Sequence, residues 1–122
     1  MDNQNLKFDF VFLGQSVLKY QVPLDIFTTI NQIYEQNYHN LNKANSQLVG
    51  KIENEHSLFY HGQDQTKMKN HNMLPTNVTD YFMTVFKHYL AFNKIKDYET
   101  HLNSIWVNEM KQHEYNPAHI HR

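Results

Sequence analysis

The sequence predicts an α+β fold, and three observations point to it. Apolar residues alternate with polar ones near the N-terminus and again after residue 98, the period of a strand. Between these stretches, apolar residues recur three and four positions apart over two longer runs, the period of a helix. A chain of 122 residues, 40% hydrophobic and 14% aromatic, holds enough apolar side chains for one modest core, so residues 1–122 are expected to form a single domain.

The elements follow in order. Residues 7–13 place Phe8, Phe10 and Phe12 on one face of a first strand, and after a turn at Gly14 residues 16–22 read as a second. Pro23 suits the first turn of a helix, because its missing N–H has no partner to lose there, and Asp25 suits the positive end of the helix dipole. Ile26, Phe27, Ile30, Ile33 and Tyr34 then share a face, which predicts a helix over 23–38. Residues 39–75 are polar and broken by Asn, Gln, His, Gly50 and Gly62. They read as an irregular segment in which Leu48, Val49 and Ile52, and then Leu58 to Tyr60, anchor short elements of undetermined type.

Thr76 or Asn77 is placed to cap a second helix, whose stripe is Val78, Phe82, Val85, Tyr89 and Phe92, with Asp80, Thr84 and Lys87 elsewhere on the wheel. Tyr98 to Met110 reads as a strand, Lys111 to Pro117 as a loop, and Ala118 to Arg122 as the opening of a further strand.

Composition excludes several classes of function. With no cysteine there is no disulfide, thiolate metal site, cysteine nucleophile or iron–sulfur cluster, and any metal must be held by nitrogen and oxygen. A net charge of −1 provides no basic field for nucleic acid or an anionic membrane. The N-terminus lacks the basic start and apolar run of a signal peptide, and no stretch approaches the roughly 18 apolar residues of a membrane span. A cytoplasmic protein is expected. No Ser-His-Asp grouping, phosphate-binding glycine loop or dinucleotide fingerprint occurs.

The chemistry-bearing feature is His119 with His121. On a strand, residues two apart project from one face, so two imidazoles can meet one metal ion while a neighbouring strand supplies the third ligand. The pair alone is unspecific: with nine histidines, a random shuffle yields roughly 0.65 such pairs. Its surroundings are more specific. Trp106, Asn108, Glu114, Tyr115, Asn116, Pro117, His119 and His121 stand in fixed order within Trp106–His121. This run resembles a phage-associated branch of the 2-oxoglutarate/Fe(II)-dependent oxygenases, in which a Trp-x-Asn strand, a Glu-aromatic-Asn-Pro turn and His-x-His enter the catalytic barrel. Upstream, Gly50, Lys51, Ile52 and Glu55 loosely resemble a further segment of that branch.

The resemblance implies the N-terminal strands and helices of a double-stranded β-helix (jelly-roll) oxygenase with its barrel incomplete. It implies Fe(II) held by His119 and His121, 2-oxoglutarate as small-molecule co-substrate, oxidative hydroxylation of a substrate not named by the sequence, and a place in the host cytoplasm. Many members of the wider superfamily carry Asp or Glu where His121 stands. The imidazole makes the site one charge more positive, which the 2-oxoglutarate dianion would partly offset. In the family the distal histidine and the basic residue that binds the far carboxylate lie on later strands, so a truncated product, inactive as it stands, is the first expectation, beside a barrel completed by a second polypeptide and a small domain that has lost the chemistry.

The neighbouring residues have plainer readings beside that one. Trp106 reads as core; Asn108 as a loop-holding or exposed residue; Glu114 as a solvated carboxylate or one that orients a ligand histidine. His39, His56, His61, His71, His88, His101 and His113 read as surface residues, His101 and His113 being spare ligand candidates. The rival functions are a non-catalytic α+β phage accessory or interaction module, and adventitious metal binding by a histidine-rich chain.

Overall fold

The computed structural model describes residues 6–40, 42–43, 54–60 and 73–119. These are α+β: two helices and two small antiparallel sheets, with no closed barrel among the described residues. The chain divides into two compact units, one of Met1–Gln32 with Leu74–Leu102, the other of Ile33–Met73 with Asn103–Arg122.

The first unit opens with a hairpin, β1 (Phe8–Phe12) and β2 (Ser16–Tyr20), in the register Phe8↔Tyr20, Asp9↔Lys19, Phe10↔Leu18, Val11↔Val17 and Phe12↔Ser16. Gly14 turns the chain at φ 84°, a conformation that glycine adopts without steric cost. Helix α1 (Leu24–Asn37) begins where Pro23 places it, with the Pro23 carbonyl accepting the Phe27 N–H at 3.0 Å. Ile26 is buried, whereas Phe27, assigned to the same stripe, is 58% exposed.

Helix α2 (Thr76–Phe92) corrects the expected cap. Pro75 occupies the cap position in an extended conformation without a side-chain cap, and its carbonyl accepts the N–H groups of Val78 and Thr79. Thr76 is already helical, and its carbonyl accepts the Thr79 hydroxyl. Val78 and Tyr81 are fully buried, Phe82 and Val85 half-buried, and Tyr89 and Phe92 more exposed. The buried stripe is therefore rotated by about one residue from the predicted one, toward Tyr81 and His88.

That rotation follows from what α2 meets. Phe8 packs edge-on against His88, with ring centroids 4.6 Å apart, and Phe10 lies 5.2 Å from Phe92. The Tyr89 hydroxyl donates to the Ser16 carbonyl at 3.2 Å, and Tyr81 reaches the Gln21 carbonyl at a long 3.4 Å. Tyr20 and His88 are joined at 2.6 Å. The helix ends with Ile95 N–H on the Leu90 carbonyl and Lys94 N–H on that of Ala91, a Schellman closure with Lys94 at φ 57° where glycine is usual.

The second unit is built on a sheet of order β3-β4-β5: β3 (Asn42–Lys43), β4 (Asn54–Tyr60) and β5 (Ser104–Glu109). The segment 39–75, read as irregular, thus supplies the central strand. Its register with β5 runs from Asn54↔Glu109 to Ser57↔Trp106, then resumes at Phe59↔Ile105, leaving Leu58 as an inserted residue. His56 and Ser57 stand in unbroken register and so point to opposite faces, yet both are buried, as is Leu58 at the bulge; the central strand is covered on both faces here. Leu48, Val49 and Ile52 lie outside the described residues.

Candidate functional site

Beyond β5 the chain enters a tight turn. The Glu114 N–H donates to the Lys111 carbonyl and the Lys111 N–H donates to Glu114 Oε2, both at 3.0 Å. Between them His113 takes φ 70°, a left-handed conformation that costs a non-glycine residue about 1 kcal/mol. Glu114 is therefore half-buried and braces the turn through an exposed hydrogen bond. Tyr115 forms a single-residue β-bridge, and Asn116-Pro117 leads to His119.

Ala118 and His119 are not assigned to a strand, and the rest of the strand expected over 118–122, His121 included, lies outside the described residues. His119 is exposed, and its Nδ1 lies 2.7 Å from the Pro117 carbonyl oxygen. A carbonyl can only accept, so Nδ1 carries the proton. That tautomer puts the ring's lone pair on Nε2, the nitrogen through which an imidazole so held takes a metal.

The upstream motif residues fall into register. Trp106 stands opposite Ser57, and Asn108 opposite Glu55, on neighbouring strands. Trp106 is 42% exposed, which corrects its reading as core: alternation places it with Ser104 and Asn108, on the face opposite Val107 and Glu109. Asn108 is exposed on β5. Of the spare candidates, His101 forms an exposed contact with Glu99 at 3.1 Å and His113 occupies the turn. Among the described residues no three His, Asp or Glu side chains converge as a metal group.

Sequence reasoning missed a second group of residues. His56 is 2% exposed, with the rings of Tyr34 and Tyr38 at 5.8 and 6.3 Å, and His39 stacks on Tyr38 at 3.7 Å. The Tyr34 hydroxyl donates to Glu109 Oε2 at 2.8 Å. Burial first, and then the Glu109 hydrogen bond and charge, push the Tyr34 hydroxyl up to about 12, so it is a fixed donor at neutral pH rather than a proton carrier. The available signal was the Phe59-Tyr60 end of an otherwise polar run, too short to identify a strand.

His88 is likewise half-buried rather than on the surface. Its Nδ1 lies 2.6 Å from the Tyr20 hydroxyl, a hydrogen bond whose donor follows the His88 tautomer. Burial, with the neighbouring Tyr81 and Tyr89, raises the Tyr20 hydroxyl, which keeps its own proton at neutral pH. Of these two histidines, His119 is the one whose Nδ1 faces a backbone carbonyl, an acceptor only.

No helix among the described residues is long and apolar enough to cross a membrane. Comparison with protein-family models, curated proteins and solved structures finds no match.

Proposed function

We propose that the chain carries part of the metal site of a phage-type 2-oxoglutarate- and Fe(II)-dependent dioxygenase, with His119 and His121 as ligands, on the N-terminal strands and helices of a jelly roll. The observation that carries this reading is the Nδ1–H···O contact from His119 to the Pro117 carbonyl, the outer hydrogen bond that ligand histidines ordinarily make. Two further observations support it. The turn braced by Glu114 sets the direction in which Pro117 leads to His119. The Trp-x-Asn element also lies in register with Glu55, the last residue of the other segment that resembles the family.

When bound, Fe(II) with 2-oxoglutarate would use O2 for hydroxylation, one oxygen atom entering the succinate formed with CO2 and the other the hydroxyl of the substrate. The protein's part is to hold the His119 ring in one tautomer. It does so with a backbone acceptor two residues away, which costs little ordering entropy. A 2-oxoglutarate dianion offsets the positive charge of a two-imidazole site, so it should tighten metal binding. Anaerobic calorimetry with Mn(II), with and without 2-oxoglutarate, tests this. The reading requires at least several-fold tighter binding in its presence. Equal affinity would leave a metal binder and remove the oxygenase.

A second reading, a non-catalytic interaction module, is favoured by the exposed apolar residues of the hairpin, among them Phe12 at 71% and Leu13 at 78%. It requires no effect of 2-oxoglutarate at all.

A further inference from the structure

The β1–β2 hairpin has two faces of different character. Phe8 and Phe10 contact His88 and Phe92 of α2, so the face carrying Phe8, Phe10 and Phe12 is the one turned to the helix. Alternation puts Asp9 and Val11 on the other face, with their cross-strand partners Lys19 and Val17. This outer face is open: Val11 is 54% and Val17 51% exposed, and Asp9 and Lys19 are exposed beside them.

The arrangement of these four residues is self-complementary. A two-fold axis parallel to the strands lays β1 of one copy over β2 of another at the same height along the strand. Because Asp9 pairs with Lys19 and Val11 with Val17 in register, the operation sets Asp9 over the second copy's Lys19, and Val11 over its Val17. Every charge then meets its opposite and every valine meets a valine, at the roughly 10 Å spacing at which sheets stack. The axis must lie midway between the strands; displaced to lie over β1, it would set Asp9 over the second copy's Asp9.

We infer that the outer hairpin face, Asp9, Val11, Val17 and Lys19, is a self-association surface whose occupant is a second copy of this chain. The inference is independent of the metal reading. Two five-residue strands offer far less than the roughly 800 Å² per partner of a stable interface, so the dimer is weak and concentration-dependent. Part of its attraction is between exposed charges, so salt weakens it.

Sedimentation of the full chain over a wide concentration range reads the association, and charge reversal tests its geometry. Asp9→Lys and Lys19→Asp each place like charges opposite one another in a homodimer, so each variant alone should lose the association, at least ten-fold. Both also put like charges within the hairpin, so circular dichroism checks that each folds. An equimolar mixture of the two leaves each hairpin as it was but restores opposite charges between chains. Recovery of dimer in the mixture, to near wild-type strength, is the expected result. A wild type whose sedimentation is independent of concentration overturns the inference, as does a mixture no more associated than its components.

Discussion

The two units are held together by different means. In the first, the fully buried side chains are Ile26, Val78 and Tyr81, and the hairpin is tied to α2 by aromatic rings and by three side-chain links, Tyr20 to His88, Tyr81 to Gln21 and Tyr89 to Ser16. In the second, two of the three described residues that are buried, His56 and Ser57, are polar, and the organising feature is the β3-β4-β5 backbone ladder, with one tyrosine–carboxylate bond from α1 to β5 and the rings of Tyr34 and Tyr38 beside His56. Side-chain packing leaves a periodic trace in the sequence. A backbone ladder uses groups that every residue has, and so leaves little.

The largest expected effect breaks or upholds that contrast. Tyr81→Ala in the first unit empties a fully buried aromatic site and should cost about 3–5 kcal/mol in urea unfolding. Trp106→Ala, the corresponding aromatic truncation in the second unit, removes a side chain 42% exposed and should cost about 1 kcal/mol or less. Equal losses would mean that the second unit also depends on aromatic packing.

Backbone strain is local, so it should not distinguish the units. Lys94 at φ 57° and His113 at φ 70° both occupy the left-handed region. Lys94→Gly and His113→Gly should each raise stability by up to about 1 kcal/mol, read as a higher midpoint in thermal unfolding. A loss at His113 would show that its ring contributes more than the turn's strain costs.

The smallest effect is in the alkaline range. The Tyr34 hydroxyl lies at about 12 in the fold against 10.0 when free, so the folded form binds more protons between those values. Its contribution is complete below pH 10 and is lost as pH rises toward 12. Tyr34→Phe should flatten that part of the stability curve, and Glu109→Gln should move one tyrosine's absorbance titration downward. An unchanged titration in Glu109→Gln would leave burial as the whole cause.

The legible parts of the fold follow the same division. Both strands of the hairpin, the start of α1 at Pro23 and the extent of α2 were readable because proline, glycine and apolar spacing mark them. The stripe of α2 was misplaced by one residue, since spacing alone could not tell that Tyr81 would be buried rather than Phe82. β4 was hidden because Asn54, Glu55, His56 and Ser57 are all polar, so no apolar alternation marks the strand, and the register shifts after Ser57. Of the candidate site, a loop over 111–117 was legible, but its hydrogen-bonded turn lies at Lys111–Glu114, ahead of the Glu114–Pro117 turn that the resemblance implied. The tautomer of His119 was not legible, because it depends on where one carbonyl points.

The central claim is that His119 and His121 form a metal-binding pair. Anaerobic titration of Fe(II) or Mn(II) into the wild type and into the His119→Ala/His121→Ala double variant, repeated from pH 8 down toward 6, tests it most directly. Ligand imidazoles must be neutral, so wild-type affinity should fall as the pH drops, and the double variant should bind at least ten-fold more weakly throughout. Equal affinity in the two proteins would contradict the account.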